Sequence, residues 1–234
     1  MKNLNIFSLV AEYENVKSGG VLNVPNVSFV DEDNSVRYLL KNIDPYNGYE
    51  YVDLGLPSGL KWATCNVGAS SPEQTGLYFA WGETTGYTTK HVASGVRKFS
   101  KNVYKAGPAA SISADLTLEQ DAAHVNLGGN WRMPTQAECK ELLDNCNMVW
   151  TDDYNGTRVT GKVFTSKVNG NSVFFPAAGY CSYSTVSSVG SDGFYWSASL
   201  ENESNAWYLN FGSDGQNVFN NSRYSGLLVR GVCE

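Results

Sequence analysis

Residues 193–233 read GFYWSASLENESNAWYLNFGSDGQNVFNNSRYSGLLVRGVC, and two kinds of position are interleaved in them. Trp196, Trp207, Leu209, Phe211, Leu227 and Val229 are large apolar residues in short strand-like pieces. Between and opposite them stand Asn, Ser, Tyr, Gly and Asp. Successive side chains of a strand point to opposite faces. In Ala206–Phe211 this places Trp207, Leu209 and Phe211 on one face, with Ala206, Tyr208 and Asn210 on the other. A face of Tyr, Asn and Ser beside Gly-containing turns has the composition of a paratope. Tyr supplies contact area at low entropy loss, and Ser, Gly and Asn supply adaptable hydrogen bonds. The same pattern also describes a plain antiparallel sheet with one wet face.

The 234 residues suffice for one large domain, or one domain with an appendage. Charged residues make up 17% of the chain and the net charge is −6, with no Lys/Arg cluster, which argues against a nucleic-acid partner. No run approaches the ~20 apolar residues of a membrane-spanning helix, so no membrane insertion is expected. At the N-terminus, Glu12 and Glu14 interrupt a short apolar piece and no cleavage site follows, so no signal peptide is read. The five cysteines (Cys65, Cys139, Cys146, Cys181, Cys233) form an odd set without a CxxC pair. Cys139 and Cys146 lie two turns apart on a helical pattern, too far for a disulfide, so buried free thiols are expected.

Residues 1–48 read as a β arm: Val27 and Phe29, then Val36 and Tyr38, suggest two strands around an Asp31–Asn34 turn. Such a hairpin cannot bury its own core and would serve attachment or oligomerisation, or add an edge to the main sheet. The main domain is expected over 49–234. It begins with a strand from Tyr51, a Pro57–Gly59 turn and a second strand to Thr64. Ser71 before Pro72 suits a helix start, and Leu77–Trp81 is a buried apolar piece. Residues 83–116 read as a long surface excursion with little regular structure. A short helix is expected over Leu118–Val125 with Thr117 as cap. The clearest helix starts at Thr135, where Glu138 completes a capping box and Cys139, Leu142, Leu143 and Cys146 form the apolar stripe. Arg158–Thr160 and Lys162–Thr165 read as strands, and Asn169–Gly170 as a hairpin turn before Ser172–Phe175.

Taken together, YVDLGLPSGLKWATCNVGA (51–69), YFAWGE (78–83), DAAHVNLGGNWRMPT (121–135), ECKELLDNC (138–146) with Trp150, FFPAAGY (174–180), GFYWSAS (193–199), AWYLNF (206–211) and GLLVRGV (226–232) resemble the Fibrobacter-type major paralogous domain of Bacteroidetes and their phages. The resemblance covers roughly residues 50–234. It implies an α+β, C-type-lectin-like fold of the formylglycine-generating-enzyme branch. A subset of that family resembles the variable proteins of diversity-generating retroelements, in which a reverse transcriptase rewrites adenines in a C-terminal segment. The composition of the terminal run is what such rewriting would leave. The missing signal peptide and the added arm resemble a phage tail-fibre tip more than a secreted adhesin. Such tips are commonly homotrimeric. The chain lacks the Glu-Pro-Asn, Gln-Pro-Asp and Trp-Asn-Asp triplets of calcium-dependent lectins. Asp152–Gly156 offers carboxylates to a cation, and equally reads as a solvated turn.

Catalytic signatures are missing: there is no GxSxG, HExxH or phosphate loop, and His124 reads as a packing residue while His91 sits in the polar excursion. A Cys–His pair brought together only in space would be the one route to an oxidase-like enzyme. The expected function is therefore non-enzymatic binding of a protein or glycan receptor on a target cell surface, at a virion or extracellular location, with no cofactor and no metal. The contact residues expected are Ser182, Tyr183, Phe194, Leu200, Asn202, Ser204, Tyr208, Asn210, Ser213, Asn217, Phe219, Asn221 and Tyr224. Trp196, Trp207, Leu209, Phe211 and Val229 are expected to be frame. A fixed-sequence adhesin or glycan-binding module, with Tyr208 stacking on a sugar, is the alternative.

Overall fold

The turn at Pro57–Gly59 joins Tyr51–Asp53 (β1) to Lys61–Asn66 (β2), which pair antiparallel with Val52 opposite Trp62. The computed structural model describes residues 46–234, which belong to one compact unit. The hairpin expected around Asp31–Asn34 lies outside the described residues. No helix starts at Ser71. That segment is a single turn closed by Gln74 N on Ser71 O at 3.1 Å, because Leu77 N already returns to Val67 O at 3.0 Å. Tyr78–Trp81 is buried, as the apolar run implied.

The excursion 83–116 is more ordered than its composition suggested. It carries Thr89–Ala93 (α1), Lys101–Lys105 (α2) and a 3-10 turn at Pro108–Ser111. Val92, Phe99 and Tyr104 are buried anchors, and the Tyr104 hydroxyl donates to Trp81 O at 2.8 Å. Three anchors at irregular spacing leave no helical period to read in the sequence. The helix expected over Leu118–Val125 is split. A 3-10 turn at Leu118–Gln120 gives way to Ala122–Leu127 (α3), because Asp121 is itself an N-cap with extended backbone. Its carboxylate accepts from Ala123 N, His124 N and Met133 N at 2.8, 3.0 and 2.7 Å. Gln136–Asn145 (α4) starts at the expected capping box, with Glu138 N on Thr135 Oγ1 at 3.2 Å and Thr135 N on Glu138 Oε2 at 2.7 Å.

Cys146–Thr151 (β3), Gly161–Ser166 (β4) and Ser172–Pro176 (β5) form an antiparallel sheet. Arg158–Thr160 is not a strand. Arg158 has φ +59°, and its N–H donates to Asp153 Oδ1 at 2.5 Å, which folds the chain back on itself. Ala178–Ser182 (β6), Thr185–Val189 (β7), Asp192–Leu200 (β8), Asn205–Gly212 (β9) and Gln216–Ser222 (β10) make a five-stranded sheet in the order β10-β9-β8-β6-β7. Gly226–Leu228 then enters the sheet. Gly226 and Cys181 exchange hydrogen bonds of 2.9 and 2.7 Å, and Leu228 N donates to Phe194 O at 3.0 Å. Arg230–Cys233 (β11) closes a third sheet, β1-β2-β11. The architecture is α+β, predominantly strand with short helices.

Strand alternation divides the core in two. Tyr195, Leu209, Phe211, Val218 and Leu228 join one apolar cluster with Trp62, Phe164 and Phe175. Their neighbours Trp196, Tyr208, Leu227 and Val229 join another with Phe79, Trp81 and Trp131. The five-stranded sheet thus has apolar packing on both faces, each buried side chain contributing about 1.5–3 kcal/mol. Arg230 is buried where β11 meets β2. It donates to Asn66 Oδ1, Ala63 O, Thr64 O and Phe174 O at 2.9, 2.9, 2.6 and 3.1 Å, with its guanidinium 4.4 Å from the Phe175 ring centroid.

Candidate functional site

Two glycines set the site. β6 and β8 meet in parallel at Gly179 and Gly193. Gly179 has φ +68°, and a Cβ there would lie 1.9 Å from Ser187 O; a Cβ on Gly193 would lie 2.1 Å from the Phe211 ring. Each glycine is followed by an aromatic, so Tyr180 and Phe194 stand side by side with ring centroids 4.9 Å apart. Across the sheet Phe194 pairs with Asn210 and Asn210 with Asn217, while Trp196 pairs with Tyr208 and Tyr208 with Phe219. Residues that pair across strands share a face. The rings continue from Phe194 to Tyr208 (5.7 Å, nearly parallel) and from Tyr208 to Phe219 (6.5 Å). The result is an aromatic row over four strands, flanked by the amides of Asn210 and Asn217. Asn221, opposite Ala206, lies on the same face.

The expected alternation in β9 holds: Leu209 and Phe211 are buried, and Trp207 is half-buried beneath Lys140 of α4 on the same side. Tyr208 needs correction as an exposed contact residue. It is only 8% exposed, because Phe194, Trp196 and Phe219 surround its ring. Burial raises its phenol pKa, and the Asp192 carboxylate adds to the effect. A sugar cannot stack on Tyr208 without displacing these rings. Phe219, 47% exposed, is the open end of the row.

The remaining expected contact residues lie elsewhere. Leu200, Asn202 and Ser204 are in or beside the β8–β9 loop, and Ser213 is in the β9–β10 turn at the opposite end of the sheet. Ser182 and Tyr183 flank the β6–β7 turn, Tyr183 being 65% exposed. Tyr224 is half-buried against the first core cluster. The thirteen therefore occupy one face and the sheet's two ends instead of a single patch. Asn202 is also diverted inward to its own loop, where Oδ1 accepts from Ser204 N and Asn205 N at 2.8 and 3.0 Å. Tyr180 and Asp192 were missed by the alternation argument, since parallel β6–β8 pairing leaves no local pattern. The recurrence of Gly-aromatic in AAGY and DGFY was the available signal.

The remaining acidic, histidine and cysteine side chains are taken up by structural contacts. Asp152 Oδ1 accepts from Trp150 Nε1 at 2.9 Å, and Asp153 from Arg158 N. Among the described residues no group of three or more His, Cys, Asp or Glu side chains is placed to hold a metal. His124 Nδ1 lies 3.0 Å from Trp131 O, and His91 Nδ1 accepts from Thr88 N at 3.3 Å. Burial pushes the Cys146 thiol up to about 11 and the Cys181 thiol up to about 12, and raises Cys139 further. These three thiols are held protonated at neutral pH, where only the thiolate is nucleophilic. Among the described residues no helix is long and apolar enough to cross a membrane.

A family model described as a domain of unknown function (DUF8237) matches residues 152–232. That stretch contains the whole aromatic row. No curated protein and no solved structure matches the chain.

Proposed function

We propose that this chain binds a protein or glycan receptor on a target cell surface, through a variable surface carried on a C-type-lectin-like scaffold of the formylglycine-generating-enzyme branch. In this reading it is a phage tail-fibre tip or a similar adhesin, diversified by a retroelement and located on the virion or the cell exterior, with a homotrimer as the assembly. The observation that carries the reading is the five-stranded sheet. Phe194, Asn210, Asn217 and Phe219 share one face, the first two half-buried and the last two exposed, while Leu209, Phe211 and Val218 beneath them are locked in the core. Function on outward positions over a fixed frame suits a binding module. The flanking DNA tests it. A reverse-transcriptase gene and a near-copy of the terminal segment differing at adenines are expected, and absence of both would leave a fixed-sequence adhesin as the better account.

One observation favours the glycan form of the receptor. Phe219 presents an exposed ring beside the exposed Asn217, and saccharides pack on aromatic rings while amides bond their hydroxyls. Thiol titration and metal analysis of the pure protein are expected to show no thiolate reacting rapidly at pH 7 and no stoichiometric metal; either one would revive the enzyme.

A further inference from the structure

We infer that Arg223 and Lys162 are positioning residues that hold the β8–β9 loop and the β9–β10 turn largely by main-chain carbonyls, leaving the side chains of Glu203, Ser204 and Ser213 free to differ. The inference rests on the proposed binding role for its use, though its geometry stands independently.

Arg223 is 1% exposed. Its Nη1 donates to Glu203 O at 3.1 Å and Ile112 O at 3.0 Å, its Nη2 to Ala109 O at 2.6 Å, and its Nε to the Tyr104 hydroxyl at 3.0 Å. Its main-chain N–H donates to Ser204 O at 3.0 Å. The guanidinium lies over Trp81, 4.7 Å from the ring centroid. No carboxylate takes part. A buried cation must be satisfied by fixed polar partners, and three of the side chain's four acceptors are carbonyls that exist whatever side chain the residue bears. At the other end, Lys162 is 3% exposed, and its Nζ donates to Gly215 O at 3.2 Å and Gln216 Oε1 at 2.9 Å. Inside the loop, Asn202 supplies the third fixture through its two main-chain donors. By contrast, the Ser213 hydroxyl donates to Asp214 Oδ1 at 2.9 Å, and Asp214 bears on the anchor through its charge near Lys162. The β8–β9 loop also lines an open groove of about 700 Å³ together with Lys101 and Lys105 of α2. Changes at 203 and 204 therefore alter a surface that a ligand can enter. A loop held by its own variable side chains would take a new path with every change; one held by its carbonyls keeps its path.

The test pairs loop variants with anchor variants, read by thermal melting and residue-level hydrogen exchange. The variants Glu203→Tyr/Ser204→Tyr and Ser213→Tyr are expected to melt within ~3 °C of the parent, with loop exchange unchanged. Asn202→Ala, Arg223→Met and Lys162→Met are each expected to accelerate exchange about tenfold in the loop they hold while the β3–β5 sheet keeps its protection. Arg223→Lys should fall between parent and Arg223→Met. The inference is overturned if the tyrosine variants melt more than ~5 °C lower, or if the anchor variants loosen every sheet equally. Should Arg223→Met not fold, Arg223→Lys and Lys162→Met decide by the same criteria. None of these readings involves a ligand or the flanking DNA, so their failure and failure of the binding role are separable.

Discussion

Phe219 and Tyr208 are cross-strand neighbours on one face with opposite predicted phenotypes. Phe219 is nearly half exposed, and Phe219→Ala should lower stability by about 1 kcal/mol while weakening the proposed receptor binding. Tyr208 is wedged between Phe194 and Trp196, so Tyr208→Ala should lower unfolding stability by about 3 kcal/mol. Chemical denaturation of both variants checks the pair; equal losses would mean that the two rings share one environment. A second residue-scale prediction concerns Glu138. Burial alone would raise its carboxyl, but the Arg132 guanidinium at 2.7 and 2.8 Å and the Thr135 bonds outweigh it and hold the pKa below the ordinary glutamate value. A depressed folded-state pKa means that the contribution, about 2 kcal/mol, is present above the unfolded pKa of about 4.3. It is lost as pH falls through the lower folded value. The stability gap between the parent and Glu138→Gln should be full at pH 6 and close as the pH drops below about 4. A gap independent of pH would contradict it.

At the scale of elements, α4 and β9 were legible because each carries its own local signature. The Thr135–Glu138 box fixes a helix start, and the Trp207-Leu209-Phe211 alternation fixes a strand face. What was not legible depends on partners distant in sequence. Asp121 reads as a helix-interior residue until Met133 N is seen beside it. The pairing of β6 with β8 has no local trace except two glycines. That pairing yields a prediction. Gly193→Ala must move the Phe211 ring, and Gly179→Ala adds a strained φ to a clash with Ser187 O. Each should destabilise by about 3 kcal/mol or more, and both should disturb the Tyr180–Phe194 contact. A melting temperature unchanged by Gly193→Ala would show that the Phe211 ring of β9 lies less closely over Gly193 than 2.1 Å implies.

Across the whole molecule, the sequence conveyed the class of fold and the frame residues better than the outline of the site. Trp196, Leu209, Phe211 and Val229 are buried as expected, Leu209 and Phe211 by strand alternation, Trp196 and Val229 because the second core cluster covers them. The contact surface was drawn too simply. Alternation says which way a side chain points, whereas exposure depends on what other segments lay over it, and the second core cluster covers part of the outward face. Of the expected contact residues, the end of the aromatic row at Phe219, Asn217 beside it, Tyr183 and the β8–β9 and β9–β10 loops remain open. The most direct measurement is population sequencing of the segment from 180 to 230 at its native locus. The account predicts that substitutions gather at outward codons such as those of Phe194, Asn210, Asn217, Phe219 and Ser213, while Trp196, Leu209, Phe211, Arg223 and Val229 stay constant. Substitutions spread evenly over frame and surface, or a segment identical in every copy, would contradict it.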